Sequence, residues 1–194
     1  RFFILLFAAS SLLFQFPPGA FAATPSDITA TDAETDGENG FTELDGALGV
    51  DTFTIGSSTY AIVTGFNDSG VQIIDISDPA NIVAKDAETD GENGFDELDG
   101  AWDVSTFVIG SSTYAIVTGY DDSGVQIIDI SDPTNIVAKD SETDGVNGFD
   151  VLGLPTDVDT FVIGSSTYAI VLSRGDGGSV DNGVKIIDIS DVDN

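Results

Sequence analysis

The sequence predicts an all-β protein, a partial β-propeller with about three four-stranded blades on a 54-residue repeat. Three observations predict it. Asp32, Asp86 and Asp140 open successive copies, so the period is 86 − 32 = 54 and 140 − 86 = 54 residues, and a fixed period in this range marks a repeat architecture. Each copy carries short runs rich in Val, Ile, Thr, Phe and Tyr, separated by Gly-Ser-Ser, Asp-Asp-Ser-Gly and Ser-Asp-Pro, with no helical periodicity; that is strand composition with turn punctuation. Finally, Tyr114-Ala115-Ile116-Val117 is apolar on both faces of a strand, and Ile127-Ile128-Asp129-Ile130 nearly so. A sheet with one wet face would alternate, so these small sheets must be covered on both sides, as blades in a radial stack are. A β-solenoid is the rival, but its coils are usually shorter than this repeat.

The elements follow in order. Arg1, the apolar run FFILLFAASSLLFQF, Pro17-Pro18-Gly19 and Ala20-Phe21-Ala22 match a secretory leader over 1–22, with cleavage expected after Ala22. The apolar run is short for a membrane span and ends at two prolines, so the mature chain has no predicted span. Export follows, to the medium or the cell surface. Repeats then occupy 32–85, 86–139 and 140–194 within a propeller region of 23–194. In the second copy the acidic loop is Asp86–Gly100. The strands are Ala101–Ile109, Ser112–Gly119, Gly124–Ser131 and the shorter Asn135–Lys139. Ile28-Thr29-Ala30 aligns with Ile82-Val83-Ala84, so the mature chain opens on an outermost-type strand and closes on a third-type one, Val184–Ser190. Three blades fall below the usual four to eight, and no initiating Met is present. Both point to part of a longer propeller.

Composition removes whole classes of function. There are 34 acidic residues against 5 basic, a formal charge of −29, and no His, Cys or Met. Without His or Cys there are no His-based triads, no His- or thiolate-bound zinc, no thiol catalysis and no disulfides. The charge repels nucleic-acid phosphates and anionic membranes. The expected partners are cations, or basic extracellular partners.

Alternate connections of a four-stranded blade emerge on opposite faces. The acidic loop and the Tyr120–Ser123 hairpin therefore share one face, and Gly110-Ser111-Ser112 and Ser131-Asp132-Pro133 the other. From the second repeat alone the first face gathers Asp86, Glu88, Asp90, Glu92, Asp96, Glu97, Asp99, Asp121 and Asp122, whereas the second face is nearly neutral. Within the loop, Asp86, Glu88, Asp90, Gly91 and Glu97 have the order of an EF-hand calcium loop, and Asp32, Glu34, Asp36, Gly37 and Glu43 repeat it. Calcium takes six to eight oxygens on a flexible backbone, which alternate carboxylates around a Gly turn can supply. These eight acidic residues are the candidate calcium ligands. Their flanks are strands rather than helices, Asn93 stands where an apolar residue is usual, and Val151 replaces the closing Glu in the third copy. The competing reading is a solvated acidic linker whose Asn39-Gly40, Asn93-Gly94 and Asn147-Gly148 pairs make tight turns. Asp75, Asp129 and Asp188 recur within the third strand and read as structural acceptors. Arg174-Gly175-Asp176, and the Asn67-Asp68-Ser69 glycosylation pattern, are short enough to arise by chance.

Tyr60–Pro79, Tyr114–Pro133 and Tyr168–Asp191, with YAIV followed by GVQIIDISDP in the first two copies, resemble the LVIVD repeat of bacterial and archaeal cell-surface proteins. The third copy departs by Val192 in place of the Pro and by a longer central loop. The resemblance implies a surface propeller and no defined activity. The function expected is a non-enzymatic, exported binding or structural surface module that is calcium-dependent. The alternative is a calcium-dependent propeller hydrolase or lyase using paired carboxylates.

Overall fold

The computed structural model describes residues 29–175 and 182–192. The leader region at 1–22 and Asp176 lie outside the described residues. Sheet 1 contains β1 (Ala47–Ile55), β2 (Ser58–Gly65), β3 (Gly70–Asp75) and β4 (Val83–Thr89). Sheet 2 contains β5 (Ala101–Ile109), β6 (Ser112–Gly119), β7 (Gly124–Asp129) and β8 (Val137–Thr143). Sheet 3 has β9 (Pro155–Ile163), β10 (Ser166–Ser173) and β11 (Gly183–Asp188), three strands among the described residues. Each sheet is an antiparallel meander in chain order, and the described residues contain no helix.

The repeated residues explain the repeated strands. Gly56 and Gly110 take positive φ at the first tight turn, a conformation that costs glycine little. This sets a register in which Phe53 faces Tyr60, Phe107 faces Tyr114 and Phe161 faces Tyr168. The rings of each pair stack at 5.5 to 5.6 Å, the cross-strand aromatic pairing that stabilises a sheet face. The Ser-Asp-Pro turns are held as expected. Asp75, Asp129 and Asp188 each accept a hydrogen bond from the backbone N–H of the serine two residues on, at 2.9 to 3.0 Å.

The fourth strand differs from the sequence reading. It does not end at Lys139 but runs on to Thr143, and likewise to Thr89 in the first copy. Asp86 and Glu88 are therefore strand residues and not part of a loop. The cause is β3, whose polar backbone groups need a partner along their whole length. Gly70, Val71, Gln72 and Ile73 pair with Thr89, Glu88, Ala87 and Asp86, after a bulge between Ile73 and Ile74. An outer strand with one wet face accepts these acidic side chains readily.

Burial follows the two-sided apolar pattern. Between sheets 1 and 2 lie Phe53, Ile62, Val71 and Ile73 from one side and Phe95, Leu98, Ala115, Val117 and Ile128 from the other. Between sheets 2 and 3 lie Phe107, Tyr114, Ile116, Val125 and Ile127 against Leu152, Val158, Ala169, Val171 and Ile187. Polar ties cross the same interfaces. The Asp51 carboxylate accepts from Thr106 N and Oγ1, both at 2.7 Å. Asp103 accepts from Val158 N at 2.9 Å. At the outer strand, Asp86 Oδ2 accepts from Ile136 N at 2.7 Å. One repeat earlier, Asp32 Oδ2 accepts from Ile82 N at 2.8 Å.

Ile116 is fully buried between sheets 2 and 3. Truncating it leaves a cavity that a close-packed core fills poorly, so Ile116→Ala should cost about 2–5 kcal/mol in urea unfolding. Val108→Ala, on a side chain facing water, should stay within about 0.5 kcal/mol.

Candidate functional site

The acidic face is built where the segment between sheets meets the β2–β3 or β6–β7 hairpin. Tyr120 N and Asp121 N donate to Gly100 O and Asp99 O at 3.1 and 3.0 Å, and Asp144 N donates to Ser123 O at 2.9 Å. The shared face expected from strand alternation is present. Asn93-Gly94 forms a small hairpin, with Asn93 and Gly94 at positive φ, Glu92 bridged to Phe95, and Phe95 buried beneath it. Asn39-Gly40 and Asn147-Gly148 take the same positive-φ conformations.

The eight candidate calcium ligands fall into two groups of behaviour. Asp32 and Asp86 point to the next sheet, bound to Ile82 N and Ile136 N. Glu34 and Glu88 accept from the side-chain amides of Asn39 and Asn93 at 2.8 and 3.0 Å. Asp36 and Asp90 accept from Leu44 N and Leu98 N at 3.1 and 3.0 Å. Asp144 makes the same bond to Leu152 N in the copy that lacks the glutamate, so this bond serves the turn itself. Only Glu43 and Glu97 turn inward. Each is 8% exposed, and in each Oε1 accepts from a threonine hydroxyl of the fourth strand, Thr89 or Thr143. Each leaves Oε2 buried without a hydrogen-bond partner among the described residues. Among the described residues no group of three acidic side chains is arranged to hold a metal ion.

The glutamates fit because a glycine opens the third strand. A side chain at Gly70 would collide with Glu43 Oε2, and one at Gly124 with Glu97 Oε2. In sheet 3 the equivalent contact is Val151 against Gly183. Leaving a carboxylate oxygen buried and unpaired is costly, and its pKa responds. Burial is the largest cause raising Glu97, opposed by the Thr143 hydrogen bond and reinforced by Asp122, Asp90 and Asp96. Glu43 is raised in the same way, with Asp68, Asp36 and Glu88 around it. Asp122 rises from its ordinary 3.8 to about 6, through burial first and then the charges of Asp90 and Asp99 and a hydrogen bond shared with Asp90. Asp99 N donates to Asp122 Oδ2 at 2.7 Å and opposes that rise.

Asp68 and Asp122 were not among the candidate ligands. Their signal was the hairpin Asp placed one residue before Ser in the Asn-Asp-Ser-Gly and Asp-Asp-Ser-Gly turns, opposite the acidic segment. Asp90 and Asp122 thus act electrostatically on Glu97 in one repeat, and Asp36 and Asp68 on Glu43 in the other. An aromatic group also lies on this side. Trp102 stacks on Tyr120 at 4.8 Å, Phe66 meets Trp102 edge-on at 5.5 Å, and Arg174 Nη1 donates to Tyr120 Oη at 3.4 Å. This accounts for Trp102 by packing.

No family model matches the chain, and no curated protein does. Among solved structures it is similar to a functionally unknown protein from Desulfotomaculum acetoxidans DSM 771, at 11% identity and a TM-score of 0.42 over 73% of this chain and 41% of that one. It is also similar to the Bombyx mori GH32 beta-fructofuranosidase BmSUC1, at 15% identity and a TM-score of 0.45 over 75% of this chain and 34% of that one. The chain thus matches about two fifths and one third of those proteins' lengths.

The raised carboxyls set a pH dependence. A carboxyl with a higher pKa folded than unfolded binds its proton more tightly in the folded state, so its contribution falls as pH rises between the two values. Stability should therefore increase on acidification from pH 7 to about 5, in the window set by Asp122, Glu97 and Glu43. The lowered group Asp75 opposes this only below its ordinary range. Asp122→Asn keeps an acceptor for Asp99 N; it should raise Tm at pH 7 and flatten the slope between pH 5 and 7. An unchanged slope in that variant would refute the assignment.

Proposed function

We propose that the three sheets are blades of a β-propeller of the LVIVD-repeat kind, exported and used as a non-enzymatic binding or structural surface module whose acidic face takes up calcium. The observation carrying this reading is the repeated inward glutamate. Glu43 and Glu97 occupy the same place in successive repeats, each with one buried oxygen lacking a partner and each facing two hairpin or turn aspartates. Carboxylates are hard oxygen donors suited to calcium. Near-identical sites in successive repeats support a scaffold-like role, whereas catalysis needs one site unlike the others.

The ligands best placed are not the linear loop set. Asp32, Glu34, Asp86 and Glu88 are engaged elsewhere, by the next sheet or by Asn amides. Asp90, Glu97 and Asp122, with their counterparts Asp36, Glu43 and Asp68, are the residues whose mutual repulsion a cation would relieve. Sheet 3, with Val151 at the glutamate position, is not expected to bind one.

Calcium at millimolar concentration should raise Tm relative to chelator at pH 7.5, since a ligand that binds only the folded state stabilises it. Glu43→Gln with Glu97→Gln should abolish that rise while leaving the fold intact by circular dichroism. A Tm identical with calcium and with chelator in the parent chain would sink the calcium reading.

A further inference from the structure

The repeats are near-copies of one another, so the places where they differ carry information. Residues 32–85 and 86–139 differ at positions 42, 48, 49, 51, 54, 66, 67 and 80 of the first copy. Four of these eight form two dipeptides: Leu48-Gly49 becomes Trp102-Asp103, and Phe66-Asn67 becomes Tyr120-Asp121. The third copy changes both again, to Thr156-Asp157 and Arg174-Gly175. The backbone beneath them is constant. Phe66 N, Tyr120 N and Arg174 N make the same turn bond, to Gly46 O, Gly100 O and Leu154 O at 3.1 to 3.2 Å. The other dipeptide falls in a β-bulge, where the register shifts between Ala47 and Val50 and between Ala101 and Val104. Bulges re-aim side chains and recur beside functional sites, and a rigid frame with variable side chains is how a scaffold carries a specific site.

The variable side chains meet, although they come from three sheets. Phe66 follows β2, Trp102 lies in β5 and Arg174 follows β10. Trp102 stacks on Tyr120, Phe66 stands edge-on to Trp102, and Arg174 Nη1 donates to Tyr120 Oη. Gly100 leaves the space between them open, since a Cβ there would stand 2.8 Å from Asp121 Oδ2 and 3.1 Å from Phe66 Cε2. The result is one patch of three half-buried rings with an exposed guanidinium and an exposed carboxylate at its rim. Packing explains how Trp102 is held. It does not explain why a tryptophan stands there, because Leu48 serves the same place in the fold one repeat earlier.

We infer that this patch binds a neutral saccharide, laid across the rings of Phe66, Trp102 and Tyr120 with its hydroxyls toward Arg174 and Asp121. The inference rests on the binding-module reading above and not on its calcium. Charge and geometry select the ligand class. A formal −29 repels anions. A cation would be drawn in, but an aromatic cage holds a cation between ring faces. Here the ring centroids are 4.8 to 6.1 Å apart, so the rings touch one another and leave no gap for an ammonium group. Arg174 also already places a cation at Tyr120.

A sugar ring fits what remains. Its C–H face is apolar and lies flat against an aromatic surface, while its edge carries hydroxyls that stay hydrated or bonded. Trp and Tyr suit such a ligand, being apolar in the body and polar at one end. Hydroxyls both donate and accept, and the rim offers each half: a guanidinium only donates, an ionised carboxylate only accepts, and the Tyr120 phenol does either. Arg174 and Asp121 thus stand on chemically opposite terms beside one aromatic surface, which neither the first copy (Phe66, Asn67) nor the third (Arg174, Gly175) supplies alone.

Trp102 is the one tryptophan of the chain, so the intrinsic emission of the unmodified protein reports on this patch alone. Titration with hexamers of glucose, mannose, galactose and N-acetylglucosamine should change that emission saturably with at least one of them. Calorimetry with that sugar should show binding weakened about tenfold or more in Trp102→Leu and in Arg174→Gln, as expected for losing a central aromatic contact or a charged hydrogen-bonding group. Trp102→Leu should keep the parent circular dichroism, because leucine already stands at that place in the first repeat. No response to any of these sugars overturns the inference, as does sugar binding that survives Trp102→Leu, or a saturable response to tetramethylammonium chloride and to no sugar. A chain that gains Tm with calcium but binds no sugar sinks this inference alone, and one that binds sugar but gains nothing from calcium sinks the calcium reading alone.

Discussion

Every sheet of this protein is apolar on both faces, and the rest of the structure answers to that. Val, Ile, Ala and Tyr side chains alternate sides along β2 and β6 without an intervening polar face, so water on either side costs the burial free energy of a whole sheet face. The response is a stack in which sheet 2 is covered by sheet 1 and by sheet 3. The inner and outer strands then lock the spacing. Asp51 and Asp103 reach across near the first strand of each sheet, and Asp86 does so near the last. These carboxylates accept from backbone N–H groups that would otherwise be buried unpaired at the interface.

The second constraint is charge. A formal −29 on 194 residues has to go somewhere, and the meander sends the larger part of the carboxylates to one face. Most of those carboxylates are absorbed locally by Asn amides, turn N–H groups and threonine hydroxyls. Glu43 and Glu97 are exceptions. They are held inward against a glycine and a threonine, with an oxygen that has no hydrogen-bond partner among the described residues. Position Val151 shows that the fold itself does not need a carboxylate there. That contrast sets Glu43 and Glu97 apart from the carboxylates that hold the turns. Asp90 holds the turn as well, since Asp144 makes the same bond in the repeat that has Val151 in place of the glutamate.

The first two strands of the second repeat were legible to the residue, because β-branched and aromatic runs end at Gly-Ser-Ser and at Gly-Tyr-Asp-Asp. The fourth strand was legible in existence and not in length. Composition places Lys-Asp-Ala-Glu-Thr in a loop, but β3 requires a partner along its whole edge, and backbone pairing outweighs the weak strand preference of acidic residues. The same misplacement produced the linear calcium loop. The spacing Asp-x-Glu-x-Asp describes one winding loop in a helical context, whereas here its first two members lie along a strand with their carboxylates drawn to different neighbours.

By itself the sequence determined the all-β class, the strand-bearing segments and the gathering of acid on one face, since each follows from periodicity and from the up-and-down order of a meander. Only the tertiary structure decided which carboxylates meet. Asp122 and Glu97 are 25 residues apart (122 − 97) in the chain, and nothing in their spacing announces that a hairpin brings one against the other. It also decided which apolar residues are left bare. Val125 and Val184 are the same residue in the same motif, and what separates them is whether a neighbouring sheet lies on top.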